Sequence, residues 1–147
     1  MTSALLCLLA LNLQTTNLDK FETRYTTCLA VVAVAQIADV DPYLAVSVAW
    51  FESKFNPDAV SSAGAVGPLQ VLPKYWCPER RLRGCNLLEA GARALQRYTR
   101  KYALREALCR YNAGGRGCKV QRAAKYADRV LRMQKRLRNF ERAGICP

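Results

Sequence analysis

Eleven carboxylates and not one histidine set the terms for any chemistry this chain of 147 residues performs. Without an imidazole, the usual Ser-His-Asp and Cys-His systems have no proton carrier. Zinc sites built on imidazole ligands are excluded for the same reason. A bond-cleaving activity would therefore put its proton on a carboxyl group. Glu52 is the carboxylate whose neighbours could change its acidity: Val48 and Ala49 lie one turn behind it, and Trp50 and Phe51 beside it. A carboxyl group held against such a wall loses solvation, so its pKa rises and it stays protonated near neutral pH, as a general acid requires. On environment alone, an exposed glutamate at a helix end fits the same residues. Asp58 falls in the loop that follows, and nothing in the spacing sets it opposite Glu52.

Glu52 needs elements to position it, and the pattern predicts helices almost throughout. Phe21–Ala38 is apolar on nearly every face and reads as a buried helix. Asp41 followed by Pro42 is an N-cap and a first-turn proline, opening a helix that runs to about Ser53. Residues 54–67 turn to Asn, Pro, Asp, Ser and Gly and read as a loop. Pro68–Leu72 is predicted as a short helical turn stopped by Pro73. Asn86, with Glu89 three residues on, caps a helix reaching about Tyr102. Leu104–Tyr111 is a further helix, ended by Asn112, Ala113 and the glycines after them. The last helix, Val120–Ala143, sets Ala123, Ala127, Val130 and Leu137 along one stripe, with Lys119, Arg122, Lys125, Arg129, Arg132 and Arg136 on the other faces. Gly144 is read as its stop. The length fits one domain, with neither repeat nor linker.

Charge is divided unevenly. Residues 1–73 carry three basic and six acidic side chains, while residues 74–147 carry twenty and five. A basic half of this strength suits an anionic partner such as an envelope polymer, lipid head groups or nucleic acid, and equally a solvated face that keeps the protein soluble. Seven cysteines without a CxxC pair favour disulfides over zinc, and so an oxidising compartment. Cys77 with Cys85, and Cys109 with Cys118, each bracket a short polar loop that a disulfide could staple. Cys28 and Cys146 are left as a long-range tie, with Cys7 unpaired. Residues 1–17 form an apolar segment, Ala4–Leu11 at its centre, that reads as signal-like or as a packed helix; the absence of a preceding Lys or Arg favours the packed helix. No apolar run reaches the roughly 20 residues of a transmembrane helix.

Three motifs in order carry a resemblance. Glu52-Ser53-Lys54-Phe55-Asn56-Pro57 is followed by Ser61, and then by Gly64-Ala65-Val66-Gly67-Pro68-Leu69-Gln70-Val71-Leu72-Pro73. Farther on comes Arg110-Tyr111-Asn112-Ala113-Gly114. Over about residues 40–115 this resembles the soluble lytic transglycosylase family. Leu69 stands where methionine often precedes the glutamine, Pro68 stands where leucine is commoner, and the stretch from Gln70 to Tyr111 is short. Those departures touch substrate subsites and leave the glutamate in place.

The resemblance implies a mainly α, single lysozyme-like domain over residues 18–147 with a glycan-binding groove. Its implied activity is cleavage of the β-1,4 bond between N-acetylmuramic acid and N-acetylglucosamine in peptidoglycan, leaving a 1,6-anhydro end. Glu52 would be the single acid and base, with Ser61, Gln70, Tyr111 and Asn112 binding substrate, and neither metal nor cofactor is implied. Two other readings stay open: a lysozyme-type hydrolase on the same fold, and a virion or secretion-apparatus component with a vestigial site. Peptidoglycan glycan strands are the implied partner, virion or secretion-apparatus proteins are further candidates, and the place of action would be extracytoplasmic or virion-associated.

Overall fold

The computed structural model describes residues 2–11 and 18–143. Among the described residues seven α-helices follow in order: α1 (Ser3–Leu11), α2 (Leu18–Ile37), α3 (Pro42–Ser53), α4 (Pro73–Trp76), α5 (Leu87–Lys101), α6 (Leu104–Ala113) and α7 (Gln121–Arg142), with 3-10 turns at Pro78–Arg80 and Gly114–Lys119. No strand occurs among the described residues, only two isolated bridges, Val60–Val66 and Val66–Val71. None of the described helices is long and apolar enough to cross a membrane.

The centre of the fold is α3. All seven residues from Leu44 to Trp50 are buried, which explains its lack of a polar face: α1, α2 and α7 pack around it. Asp41 caps it by accepting from the Tyr43 amide at 3.3 Å, and Pro42 occupies the first turn, where its missing N–H costs nothing. The second Asp41 oxygen accepts from Arg138 Nη2 at 2.8 Å and from Gln134 Nε2, so one residue both starts α3 and fastens α7 beside it. The stripe on α7 buries Ala123, Ala127, Val130 and Leu137 as expected, together with Tyr126, Met133 and Gln134.

Three local expectations are corrected. Pro68–Leu72 is not helical, because Gly67 and Gln70 both take left-handed backbone (φ 80° and 48°) and Val71 pairs back with Val66; helix α4 instead begins at Pro73. The Leu104 helix continues through Asn112 to Ala113 before the glycines break it. Cys28 is bonded to Cys7, not to Cys146, and Cys7 is therefore not left over. Leu6, Cys7, Ala10 and Leu11 of α1 are buried, and this packing carries Cys7 to α2, where spacing alone could not place it. Cys146 and the Gly144 stop lie outside the described residues. The bonds Cys77–Cys85 and Cys109–Cys118 are formed as expected.

Candidate active site

Glu52 sits in the last turn of α3, where the helix leaves the core. Lys54 and Phe55 both adopt left-handed backbone (φ 52° and 60°), the Lys54 amide closing the helix on Trp50 O at 3.0 Å. That conformation is costly for residues with a Cβ. What offsets it is burial: Phe55 is wholly enclosed and packs on Trp50, and Lys54 Nζ lies 4.6 Å from the Trp50 ring centroid. Ser53 Oγ donates to Pro68 O at 2.8 Å, fixing the loop over residues 59–71 against the end of α3. The helix end, and with it Glu52, is held by packing on both sides.

Burial sets the acidity of Glu52. Loss of solvation raises its pKa from 4.5 to about 7, and the Tyr126 hydroxyl pulls weakly the other way. Tyr126 comes from the buried stripe of α7, and its Oη is enclosed without a hydrogen bond of regular geometry. It faces the Glu52 carboxyl, whose charged form it favours. Burial also holds the Tyr111 and Tyr126 hydroxyls far above the usual tyrosine range, with the Glu52 charge adding to both. Both rings are neutral donors at any working pH.

The structure brings some of the expected site residues together and gives others local duties. Tyr111, on α6, donates to Leu69 O at 2.6 Å and stands close enough to Glu52 to feel its charge. Asn112 follows it, and its Oδ1 is buried without a partner. Gln70 Nε2 donates to Ala59 O (3.0 Å) and Gly67 O (2.9 Å), so it ties its own loop while lining the same cleft as Tyr111 and Asn112. Ser61 Oγ accepts from the Ala65 amide at 3.0 Å and so closes the loop's turn. Among the described residues no hydrogen bond joins Ser61 to Glu52, its side chain being engaged in its own turn.

That cleft, of about 330 Å³, also takes in Trp76, Tyr98 and Arg122. A neighbouring hollow of about 470 Å³ shares Tyr75, Trp76, Tyr98 and Gly114 with it and adds Tyr102, Arg97 and Lys101. Tyr98 is the hub, its ring centroid lying 6.0 Å from Trp76, 6.4 Å from Tyr102 and 6.3 Å from Tyr111. The Cys77–Cys85 bond anchors the segment after α4, and the Cys109–Cys118 bond holds the 3-10 turn against α6. Glu106 supports that turn, accepting from Arg110 Nε at 2.7 Å and from the Cys118 amide at 3.3 Å. Among the described residues Glu106, Cys109 and Cys118 also cluster as possible metal ligands, but their two sulfurs are joined to each other.

A family model, the Transglycosylase SLT domain, matches residues 30–131. The chain belongs to this family. No curated protein and no solved structure matches the chain. Membership carries peptidoglycan cleavage of the lytic transglycosylase type in general, and with it a peptidoglycan substrate, which is consistent with action outside the cytoplasm. The match spans α3, the loop over residues 59–71, α5 and α6 and ends on α7 beyond Tyr126, so every residue placed around Glu52 lies inside the SLT domain.

Sequence reasoning passed over Tyr126. A signal was present: a tyrosine on the buried stripe of a basic helix has a hydroxyl that must meet something polar. Tyr126→Phe is expected to fold with little change in stability, because the enclosed ring keeps its shape and loses only a hydroxyl facing Glu52. The same change takes a donor away from the ionised carboxyl, so the alkaline limb of the pH–rate profile should move upward while the rate falls. A loss of rate with an unmoved limb would show that Tyr126 acts only through packing.

The acidity of Glu52 has its own consequence for rate. A group that must be protonated to act is fully competent below its pKa, so kcat/KM should be flat below about pH 7 and fall above it. A fall centred near pH 4.5, the value of a solvated glutamate, would contradict the burial described.

Proposed function

We propose that the protein is a peptidoglycan lytic transglycosylase in which Glu52 alone is acid and base, with Tyr111, Asn112, Gln70 and Tyr126 around it. The carrying observation is a half-buried carboxyl at the end of α3, its pKa raised to about 7 by loss of solvation, near a cleft walled by aromatic rings. Protonated Glu52 gives its proton to the oxygen leaving the muramic anomeric carbon. As a carboxylate it then takes the proton of the muramic C6 hydroxyl, which closes onto that carbon and forms the 1,6-anhydro ring. The proton is returned and no water is consumed.

A retaining hydrolase needs a second carboxyl about 5 Å from the first. Such a neighbour would weigh on the ionisation of Glu52, and the shift has only burial and Tyr126 as its causes. That balance favours the substrate's own acetamido group as the assisting nucleophile. Sugars present C–H faces that pack on aromatic rings, and Trp76, Tyr98 and Tyr102 offer a row of them. Asn112 lines the same cleft, its Oδ1 buried there without a partner. The test is release of soluble fragments from purified sacculi by the intact protein. Failure to release them, in protein with all three described disulfides formed, would overturn the reading.

A further inference from the structure

The outer face of α7 carries a hollow of about 380 Å³ lined by Arg122, Lys125, Asp128, Arg129 and Arg132. Two observations connect it to the site. Arg122 lines both this hollow and the aromatic cleft that holds Gln70, Tyr111 and Asn112. The Arg129 guanidinium lies 5.4 Å from the ring centroid of Phe51, the residue before Glu52, and its charge is felt at the Tyr126 hydroxyl. The basic hollow thus adjoins the cleft through Arg122 and comes within one residue of Glu52 through the Arg129–Phe51 contact.

The charge in this hollow is open to a ligand. Asp128 is its one acid and is held by Arg105 from α6, Nε to Oδ1 at 2.8 Å and Nη2 to Oδ2 at 3.1 Å. Arg122, Lys125, Arg129 and Arg132 are exposed, and none forms an ion pair among the described residues. Four cations in a row meet nothing in a neutral sugar chain. In peptidoglycan the anionic groups nearest the cleaved bond hang from the muramic lactyl ether: its own carboxylate when free, or the carboxylates of a stem peptide joined to it.

We propose that this hollow is a carboxylate subsite that binds the lactyl arm of muramic acid or the peptide it bears, and so selects muramic over neutral sugar beside Glu52. Guanidinium and ammonium groups pair with carboxylates by charge-assisted hydrogen bonds, which at exposed residues such as these are screened by salt. The inference rests on the glycan reading above, and its test separates the two.

Binding would be measured by calorimetry in the Glu52→Gln background, which prevents turnover. Three tetrasaccharides serve as probes: a neutral N-acetylglucosamine oligomer, a GlcNAc–MurNAc strand with free lactyl carboxylates, and the same strand bearing stem peptides. Each is compared with and without Lys125→Gln, Arg129→Gln and Arg132→Gln together; Arg122 stays, since it also lines the aromatic cleft. The expected result is a loss of about tenfold or more for a carboxylate-bearing strand and less than about twofold for the neutral one. Whichever muramic strand loses more names the source of the carboxylate. Should the triple variant fold poorly, salt titration of the parent gives the same answer, with affinity for the charged strands falling and the neutral one holding. Equal loss on all three probes, or on none, overturns the subsite, as does a DNA oligonucleotide of equal charge outcompeting the strands at these residues. No binding of any probe, the neutral one included, overturns the glycan reading itself.

Discussion

Glu52→Gln is expected to reduce fragment release from sacculi to below a few per cent of the wild type while the fold stays intact. The amide keeps the shape of the carboxyl and can neither donate nor accept the proton on which the reaction turns. Stability should shift in a direction that depends on pH. The folded pKa of Glu52, about 7, lies above its unfolded value. Between roughly pH 4.5 and 7 the unfolded chain therefore binds fewer protons than the folded one, and the wild type loses stability as pH rises through that window. Glutamine never ionises, so the variant should equal the wild type near pH 4.5 and exceed it near pH 8. Thermal unfolding at both pH values reads this directly. A variant less stable at pH 8 would mean the carboxylate is held by favourable partners, and the burial account would fail.

Gly91→Ala should unfold the groove from a position that touches no substrate. In an exposed helix the substitution gains about 1 kcal/mol from propensity. Gly91 lies in α5 directly under Leu69, and an added methyl group would meet Leu69 Cβ at 2.5 Å and Cδ1 at 2.6 Å. Cβ is fixed to the backbone and cannot swing aside, so overpacking of about 1–3 kcal/mol outweighs the gain. For a chain of this size a net loss of up to about 2 kcal/mol corresponds to a Tm lower by up to about 8 °C. Activity should fall further than stability, since Leu69 O receives the Tyr111 hydroxyl and Leu69 precedes Gln70. Gly115→Ala is the control, because a methyl group there meets nothing within 4 Å. A Gly91→Ala protein as stable and active as the wild type would show that the α5–loop contact is looser than described.

What could be read in the sequence was what short stretches decide. Asp41 and Asn86 cap the helices they were expected to cap, Asn86 Oδ1 accepting from the Glu89 amide at 3.2 Å, because a cap needs only its own next turn. Glu52 stayed open between a desolvated and an exposed carboxyl, because its solvation depends on elements far along the chain, Tyr126 of α7 among them. Gln70 misled because left-handed backbone at a non-glycine residue is fixed by its surroundings, here its bonds to Ala59 and Gly67 and the Val66–Val71 pairing. The Cys7–Cys28 bond was hidden because it depends on how α1 packs. The aromatic cleft was hidden too: Trp76, Tyr98 and Tyr111 come from three helices, and only folding sets Tyr98 between the other two. The three motifs placed the family correctly, while Tyr126, outside all of them, needed the structure.

The central claim is that one desolvated carboxyl, with no activated water, breaks the glycan strand. Digestion of purified sacculi in water enriched in oxygen-18, followed by mass analysis of the released ends, tests it most directly. The account predicts 1,6-anhydro-muramic ends without the heavy isotope, formed by the wild type and absent with Glu52→Gln. Reducing muramic ends carrying one oxygen-18 would make the enzyme a hydrolase and contradict it.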